Sequence, residues 1–308
     1  MGNNNWAARS GPHTRVPEAV ENIISMENKK FHNLAVVLKK YLAWNSFIIV
    51  VKECATWWWM VLEFCDAFQM LKNMQVLFKT RNGAKYLVKF HYIHIPTIYE
   101  IYIMGVYNRG LQNITTGGVV IDIGAHIGIF SALAAKTARN VRVYAYEPAR
   151  NNYRTLLKNM ELSGLSSTVT AYNLAVYGRK GKVTIFNDLS TGHSITFNQY
   201  GKYSEEIEAV TLADIFESNG IAACDLLKID CEGAEFDILG AAGADTFGKI
   251  KNIIMEYHIT EEEFSKAKDK KIIDLKKMLE GFGFIADMET PVLFWGLYAG
   301  HLYAHKMI

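Results

Sequence analysis

Acidic side chains and a histidine follow two strand-like runs in the second half of the sequence. Asp230 and Glu232 come directly after one run, and Glu256 and His258 end the next. Because neighbouring parallel strands present their carboxyl ends at the same edge of a sheet, we expect these four side chains to lie together beside a ligand crevice. Carboxylates and imidazoles at such a position can take a proton from a substrate or hold a metal cation.

Three roles are open to these residues. In the first, Asp230 or Glu232 is a general base, or His258 is, because the ordinary pKa of histidine lies nearest neutral pH. In the second, Asp230, Glu256 and His258 bind a divalent cation. In the third, Glu232 and Glu235 stabilise a helix N-terminus and His258 is a packed residue. The first role is favoured: Asp230, Glu232 and His258 are the predicted catalytic residues, no metal site is predicted, and chelators should reduce activity only modestly.

The stretch VVIDIGAHIGIF looks like a dinucleotide-binding turn whose glycines are misplaced. Counted from Gly124, the second and third glycine positions hold His126 and Ile129. Because a pyrophosphate needs the close backbone approach that the second glycine permits, NAD and FAD are disfavoured. Asp122 places a carboxylate at the end of the strand, which suits a ligand with a cationic amino group and no phosphate. S-adenosylmethionine is such a ligand.

A second acid strengthens this interpretation. Glu147 ends the next strand-like run, 23 residues after Gly124, where an acidic side chain can accept both ribose hydroxyls. Its alternative role is that of a helix N-terminal acid before Pro148. Residues 173–176 end a third run and should lie against the adenine. The predicted cofactor-binding residues are Asp122, Gly124, Ala125, His126, Gly128, Glu147, Asn173, Ala175 and Asp230.

Strand-like and helix-like segments alternate through the region that carries these residues. This alternation predicts an α/β fold with a doubly wound, mostly parallel seven-stranded sheet. Asn82-Gly83, between two β-prone runs, predicts a hairpin, and His193 falls in a predicted loop as a weaker candidate base. Residues 1–30 are expected to be a flexible polar arm, 31–115 helices plus the hairpin, and 116–308 the cofactor-binding domain. The predicted strands are Val119–Ile123, Val141–Tyr146, Val169–Val176, Leu226–Ile229, Ile253–Glu256, Phe284–Asp287 and Val292–Tyr298, with Lys182–Phe186 as an added antiparallel strand.

The composition narrows the class of protein further. The 308 residues are half apolar and carry a formal net charge of +2, and no basic stripe points to nucleic acid. The four cysteines show no metal or disulfide spacing, as in a cytoplasmic protein with reduced thiols. Charged residues interrupt the apolar stretch 41–70, so a membrane span is disfavoured. The Trp57–Trp59 cluster could still contact a membrane surface peripherally.

Five motifs between residues 119 and 258 resemble one family, and the resemblance extends over roughly residues 75–260. They are VVIDIGAHIGIFS, AYEPARNNYRTLLKN, LAVYGRKG, LLKIDCEGAE and NIIMEYH, and together they resemble the FkbM family of S-adenosylmethionine-dependent methyltransferases. The KIDCEGAE element is the most specific of them, whereas DIGAHIG is typical of most class I methyltransferases. His126 stands where the family often has Asn, and Cys231 where an aliphatic residue is usual. The resemblance implies a class I fold, a methyl donor and usually a hydroxyl acceptor on a sugar, glycolipid or secondary metabolite.

Two other functions remain possible at this stage. An NAD-linked oxidoreductase would use a similar sheet, although the missing glycines count against it. A non-catalytic binding protein would keep the fold without the chemistry, although the intact Asp122, Gly124, Gly128, Glu147 and Asp230 oppose it. The expected partner is a small-molecule, glycan or lipid acceptor, not a nucleic acid, and the sequence does not predict an oligomeric state.

Overall fold

The computed structural model describes residues 51–64, 74–89, 94–188, 192–194, 203–260, 264, 270–294 and 297–307. By its contacts the chain divides into one unit of Met1–Asn45 and a second of Ser46–Ile308. The first unit lies outside the described residues, and so does the predicted polar arm. No described helix is long and apolar enough to cross a membrane.

The N-terminal part of the second unit contains a helix and a hairpin. Helix α1 is Trp58–Phe64, and strands β1 (Gln75–Lys79) and β2 (Lys85–Lys89) pair antiparallel. Gly83 has φ 85°, a left-handed conformation that glycine adopts without strain. The predicted Asn82-Gly83 hairpin is therefore confirmed.

A helical segment follows the hairpin and leads to the main sheet. It comprises α2 (His94–Ile98), a π-helix (Tyr99–Met104) that ends at Gly105 with φ 65°, and α3 (Asn108–Leu111). His94 is therefore the first residue of a helix, and residues 99–104 of this segment are wound as a π-helix.

The main sheet has the predicted doubly wound, mostly parallel organisation. Seven strands follow the order β12-β14-β11-β10-β3-β4-β5, where the labels denote the residue ranges given at the end of this paragraph. On this path, β14 alone runs antiparallel to its two neighbours. A short strand, β13, also pairs with β14. The strands are β3 (Val119–Ile123), β4 (Arg142–Tyr146), β5 (Val169–Tyr172), β10 (Leu226–Ile229), β11 (Asn252–Thr260), β12 (Phe284–Met288), β13 (Val292–Phe294) and β14 (Leu297–Lys306).

Helices cover both faces of this sheet, so its central strands are buried on both sides. In β3, Val120 packs into one hydrophobic core while Ile121 and Ile123 pack into the other. This double burial explains the uninterrupted apolar run that predicted the strand. The helices are α4 (Ile129–Ala135), α5 (Arg150–Leu162), α6 (Leu212–Ser218), α7 (Glu235–Gly240), α8 (Ala244–Gly248) and α9 (Lys270–Gly281).

A separate four-stranded sheet corrects two predictions. Its order is β6-β9-β7-β8, formed by Ala175–Val176, Tyr203–Val210, Gly181–Asp188 and Gly192–Ser194 respectively. The single predicted strand Val169–Val176 is therefore two strands in different sheets. His193 lies on β8, paired with β7, and not in a loop. The run Val292–Tyr298 also divides, between β13 and the start of β14.

Candidate active site

The turn after β3 brings the ends of three strands close together. Gly124 has φ 76°, and a Cβ there would lie only 1.7 Å from the Asp230 carbonyl oxygen, so no larger residue fits. The N–H groups of Gly124 and Ala125 both donate to the Tyr146 carbonyl at 3.0 Å. Gly128, with φ 83°, lets α4 begin directly against α5, where Met160 would lie 2.8 Å from an added Cβ. Both glycines therefore allow close packing around the turn.

Glu147 lies at the end of β4 and is only 4% exposed. Its carboxylate accepts hydrogen bonds from the backbone N–H groups of His126 (2.8 Å) and Ala149 (2.9 Å). Burial raises the pKa of Glu147 to about 7, even though these hydrogen bonds act to lower it. The Asn173 amide donates to the Glu147 carbonyl at 3.0 Å. This hydrogen bond holds the residue predicted to bind the ribose beside a residue predicted to lie against the adenine. Ala175 follows as a fully buried residue of β6.

Lys228 occupies the centre of a buried ion network beneath this turn. Its Nζ atom lies 3.2 Å from an oxygen of Asp122 and 3.5 Å from one of Asp230, and donates to the Gly124 carbonyl at 2.9 Å. The other Asp122 oxygen accepts from Ser131 at 2.5 Å. Asp122 is fully buried, and its carboxylate neutralises Lys228. Contact between Asp122 and the amino group of a ligand stays a prediction.

Asp230 faces the crevice from the end of β10. Tyr107 donates to its carboxylate at 3.1 Å. Burial acts to raise the pKa of Asp230, but the Lys228 ammonium, His258 and the hydrogen bond from Tyr107 together outweigh it, and the pKa is lowered. Conversely, burial would lower the pKa of Lys228, but Asp122 and Asp230 raise it. Asp230 is therefore a stable carboxylate that already has two partners.

His258 is held among glutamates at the end of β11. Its Nδ1 atom lies 3.1 Å from Glu235, and its Nε2 atom lies 3.6 Å from Glu232 and 3.7 Å from Glu256. Glu235 is fully buried, and it also accepts from the backbone N–H groups of Cys231 and Gly233. The structure thus brings together Asp230, Glu232, Glu256 and His258, as their positions at neighbouring strand ends predict.

The ionisation of this cluster follows from burial and crowding. Burial raises the pKa of Glu232 to about 7, and burial together with the Asp230 charge raises that of Glu256 well above its ordinary value. Burial acts to lower the pKa of His258, but the surrounding carboxylates, Glu232 foremost, raise it overall. Glu232 also has φ 57°, a left-handed conformation that is strained for a non-glycine residue. Such strain is common at functional sites.

Ligand atoms of Asp230, Glu256 and His258 lie within 4.8 Å of one another, so the cation interpretation of these residues is geometrically possible. Three further residues that the sequence did not indicate reach this cluster. Tyr107 is the partner of Asp230, and Glu100 and His301 lie beside Glu256. The signal for Glu100 was a single acid within the apolar run IYEIYIM. His301 gave no local signal, because its place depends on strand register.

The sheet order and the position of the site define a class I methyltransferase fold. The FkbM methyltransferase domain matches residues 122–286, more than half of the chain. The chain therefore belongs to the FkbM methyltransferase family, which confirms the resemblance, the methyltransferase class and the predicted cofactor, S-adenosylmethionine. This assignment favours a methyltransferase over the oxidoreductase alternative.

Related sequences are identical to this chain at about a quarter of the aligned residues. Methyltransferase 1 of Beauveria bassiana is 24% identical over 193 residues, covering 56% of this chain and 74% of the relative. The 31-O-demethyl-FK506 methyltransferase FkbM of Streptomyces tacrolimicus is 26% identical over 226 residues, covering 64% and 84%. Among solved structures, M. jannaschii TYW2 in complex with AdoMet has a TM-score of 0.42 at 14% identity, covering 77% of this chain and 88% of that one.

Proposed function

We propose that this protein transfers the methyl group of S-adenosylmethionine to a hydroxyl of a sugar, glycolipid or secondary metabolite, with Glu232 as the general base. Oxygen as the acceptor atom is supported by the Streptomyces relative, whose name describes a substrate that lacks an O-methyl group. It is also supported by the carboxylates at the crevice, because a neutral hydroxyl must lose its proton as it attacks.

The observation that carries this proposal is the exposure of the Glu232 side chain together with its raised pKa. Asp230 is held by Tyr107 and Lys228. Both ring nitrogens of His258 face carboxylates, which leaves neither of them directed to a substrate. The Glu232 side chain is 34% exposed, so it can reach a bound acceptor. Its pKa of about 7 suits a group that must accept a proton near neutral pH.

The reaction is a displacement at the methyl carbon. The acceptor oxygen gives its proton to Glu232 and forms a bond to the methyl carbon. The sulfonium sulfur keeps the electron pair of the broken carbon–sulfur bond and becomes the thioether of S-adenosylhomocysteine. The site contributes by aligning oxygen, carbon and sulfur, which the rigid ends of β3, β4 and β10 make possible.

Labelled methyl transfer tests the proposal. The protein is incubated with S-adenosylmethionine labelled in its methyl group and with extracts of glycans, lipids and small metabolites from the organism that encodes it. We expect a labelled methyl ether, identified by NMR. The rate should rise with pH as Glu232 ionises near pH 7. Label found only on nitrogen or carbon would contradict O-methylation, and no transfer into any fraction would favour the non-catalytic alternative.

Two variants test whether Glu232 itself acts as the general base. Glu232→Gln should lower kcat about 100- to 10,000-fold, the usual contribution of a general base, and should leave cofactor affinity nearly unchanged. Glu217→Gln, an exposed glutamate on α6, is the matched control and should behave as the wild type. Equal kcat values in the two variants would show that Glu232 is not the base.

A further inference from the structure

One face of the main sheet places two histidines beside a glutamate. Glu256 on β11 and His301 on β14 are direct partners across the antiparallel ladder. His258 lies two residues beyond Glu256 and therefore projects from the same face, because side chains alternate along a strand. Its own partner on β14 is Ala299, which leaves room for the imidazole. The strand register thus brings Glu256, His258 and His301 to one surface.

A third element adds a carboxylate to this surface. Glu100 comes from the π-helix that precedes the main sheet, and π-helical turns are frequent at functional sites. One ligand atom each of Glu100, Glu256 and His301 lies within 4.8 Å of the other two. Two ligands on opposite sides of a cation at about 2.1 Å would be about 4.2 Å apart, so small side-chain movements bring all three to bonding distance.

The hydrogen bonds of His301 orient it as a ligand. Its Nδ1 atom lies 3.0 Å from a Glu289 oxygen. Its Nε2 atom is buried and has no hydrogen-bond partner among the described residues. A carboxylate that holds one ring nitrogen selects the tautomer whose other nitrogen carries a lone pair, as is usual for metal-binding histidines. The described residues also provide no hydrogen bond to the Glu100 side chain.

The site holds more carboxylates than cations, and two of its carboxylates have no cation partner of their own among the described residues. Lys228 is shared by Asp122 and Asp230, and His258 is bonded to Glu235 and faces Glu232. Among the described residues, Glu100 and Glu256 have no further cation of their own. The nearest positive group to Glu256 is the already engaged His258, at 3.7 Å. Once both groups have given up their protons, their charges match that of one divalent cation.

We propose that Glu100, Glu256 and His301 bind one divalent transition-metal cation. Two carboxylates and an imidazole favour Mn²⁺, Fe²⁺ or Zn²⁺ over Mg²⁺ and Ca²⁺, which prefer oxygen ligands alone. This set differs from the one that the sequence indicates, because Asp230 and His258 already have other partners. It also reverses the expectation that the site uses no metal.

The role of the cation rests on the proposed function. Glu256 and Glu232 both lie within 4 Å of the His258 Nε2 atom, so a cation on Glu256 is near the proposed base. There it would polarise the acceptor hydroxyl and ease transfer of its proton to Glu232.

Manganese binding tests the site without any substrate. The full chain, freed of metal with a chelator, is titrated with Mn²⁺ while EPR measures the free ion. We expect one Mn²⁺ per chain. Glu256→Gln and His301→Ala should each weaken Mn²⁺ binding by more than about tenfold. Glu289→Ala, which only releases the His301 ring, should weaken Mn²⁺ binding by about 10- to 100-fold. His305→Ala, on the same strand outside the cluster, is the matched control and should bind normally. Circular dichroism verifies that each variant is folded.

Spin-echo EPR of bound Mn²⁺ identifies the nitrogen ligand. A ¹⁴N coupling that disappears in His301→Ala and persists in His258→Ala supports the proposal, whereas the reverse pattern would assign the cation to the other triad and overturn it. Absence of Mn²⁺ and Zn²⁺ binding, with methyl transfer that resists the chelator, would also overturn it. If the metal binds as described but no hydroxyl is methylated, the proposed function fails while the metal site stands.

Discussion

Removing the Lys228 charge tests the buried ion network. Lys228 is 3% exposed, and the Asp122 oxygen that it faces has no hydrogen-bond partner among the described residues. Lys228→Met keeps an apolar side chain of similar length but leaves the fully buried Asp122 without a counter-ion. Breaking one partner of a buried pair costs about 3–5 kcal/mol in the free energy of unfolding. At about 2–4 °C per kcal/mol for a large domain, Tm should fall by about 6–20 °C.

Thermal unfolding followed by circular dichroism measures this loss. Lys249→Met is the matched control, because Lys249 forms an exposed ion pair with Asp245 at 2.7 Å and such pairs contribute at most about 1 kcal/mol. Adding Asp122→Asn to Lys228→Met should recover about half of the loss, since the double variant removes the unpaired charge of Asp122, while Asp230 loses Lys228 and keeps Tyr107.

Two outcomes would contradict this account. If Lys228→Met loses no more stability than Lys249→Met, or if Asp122→Asn does not alter its loss, the network does not stabilise the fold as described.

Two other predictions concern ligand contacts. Burial raises the pKa of Glu147 to about 7, and the ionised carboxylate is the better acceptor for ribose hydroxyls. S-adenosylmethionine should therefore bind about tenfold more tightly at pH 8 than at pH 6. Calorimetry should show weaker, pH-independent binding in Glu147→Gln, and an unchanged pH profile in this variant would remove Glu147 from the site. Trp58 is 45% exposed, whereas Trp57 and Trp59 pack against the core. Trp58→Ala should therefore reduce flotation with liposomes more than Trp57→Ala does. Equal flotation of both variants and the wild type would argue against membrane contact.

The sequence predicts the central strands well because burial dictates their residue types. Val119–Ile123 and Leu226–Ile229 have the predicted bounds, since strands covered on both faces must be apolar throughout. The division of Val169–Val176 was missed. Asn173 donates its amide to two carbonyl oxygens at the end of β4, and this contact between distant segments leaves no local signature.

The acids at the strand ends could be predicted to meet because the topology of a parallel sheet is regular. Their different ionisation could not, because it depends on which carboxylate Lys228 reaches and which ones face His258. The proximity of Glu100 and His301 was also beyond the sequence, since it requires a π-helix and the register of an antiparallel strand. Local patterns therefore give the position of the site, whereas its chemistry depends on long-range contacts.

The location of β14 has a consequence for how the chain is made. Residues 297–306 follow the other described strands of this sheet in the chain, yet they lie between β11 and β12 in the interior of the sheet. Until they arrive, both neighbours expose unpaired edges that could associate with other nascent chains. We therefore expect deletion of residues 297–307 to cause aggregation during synthesis, and chaperones that shield strand edges to matter most before β14 has been made.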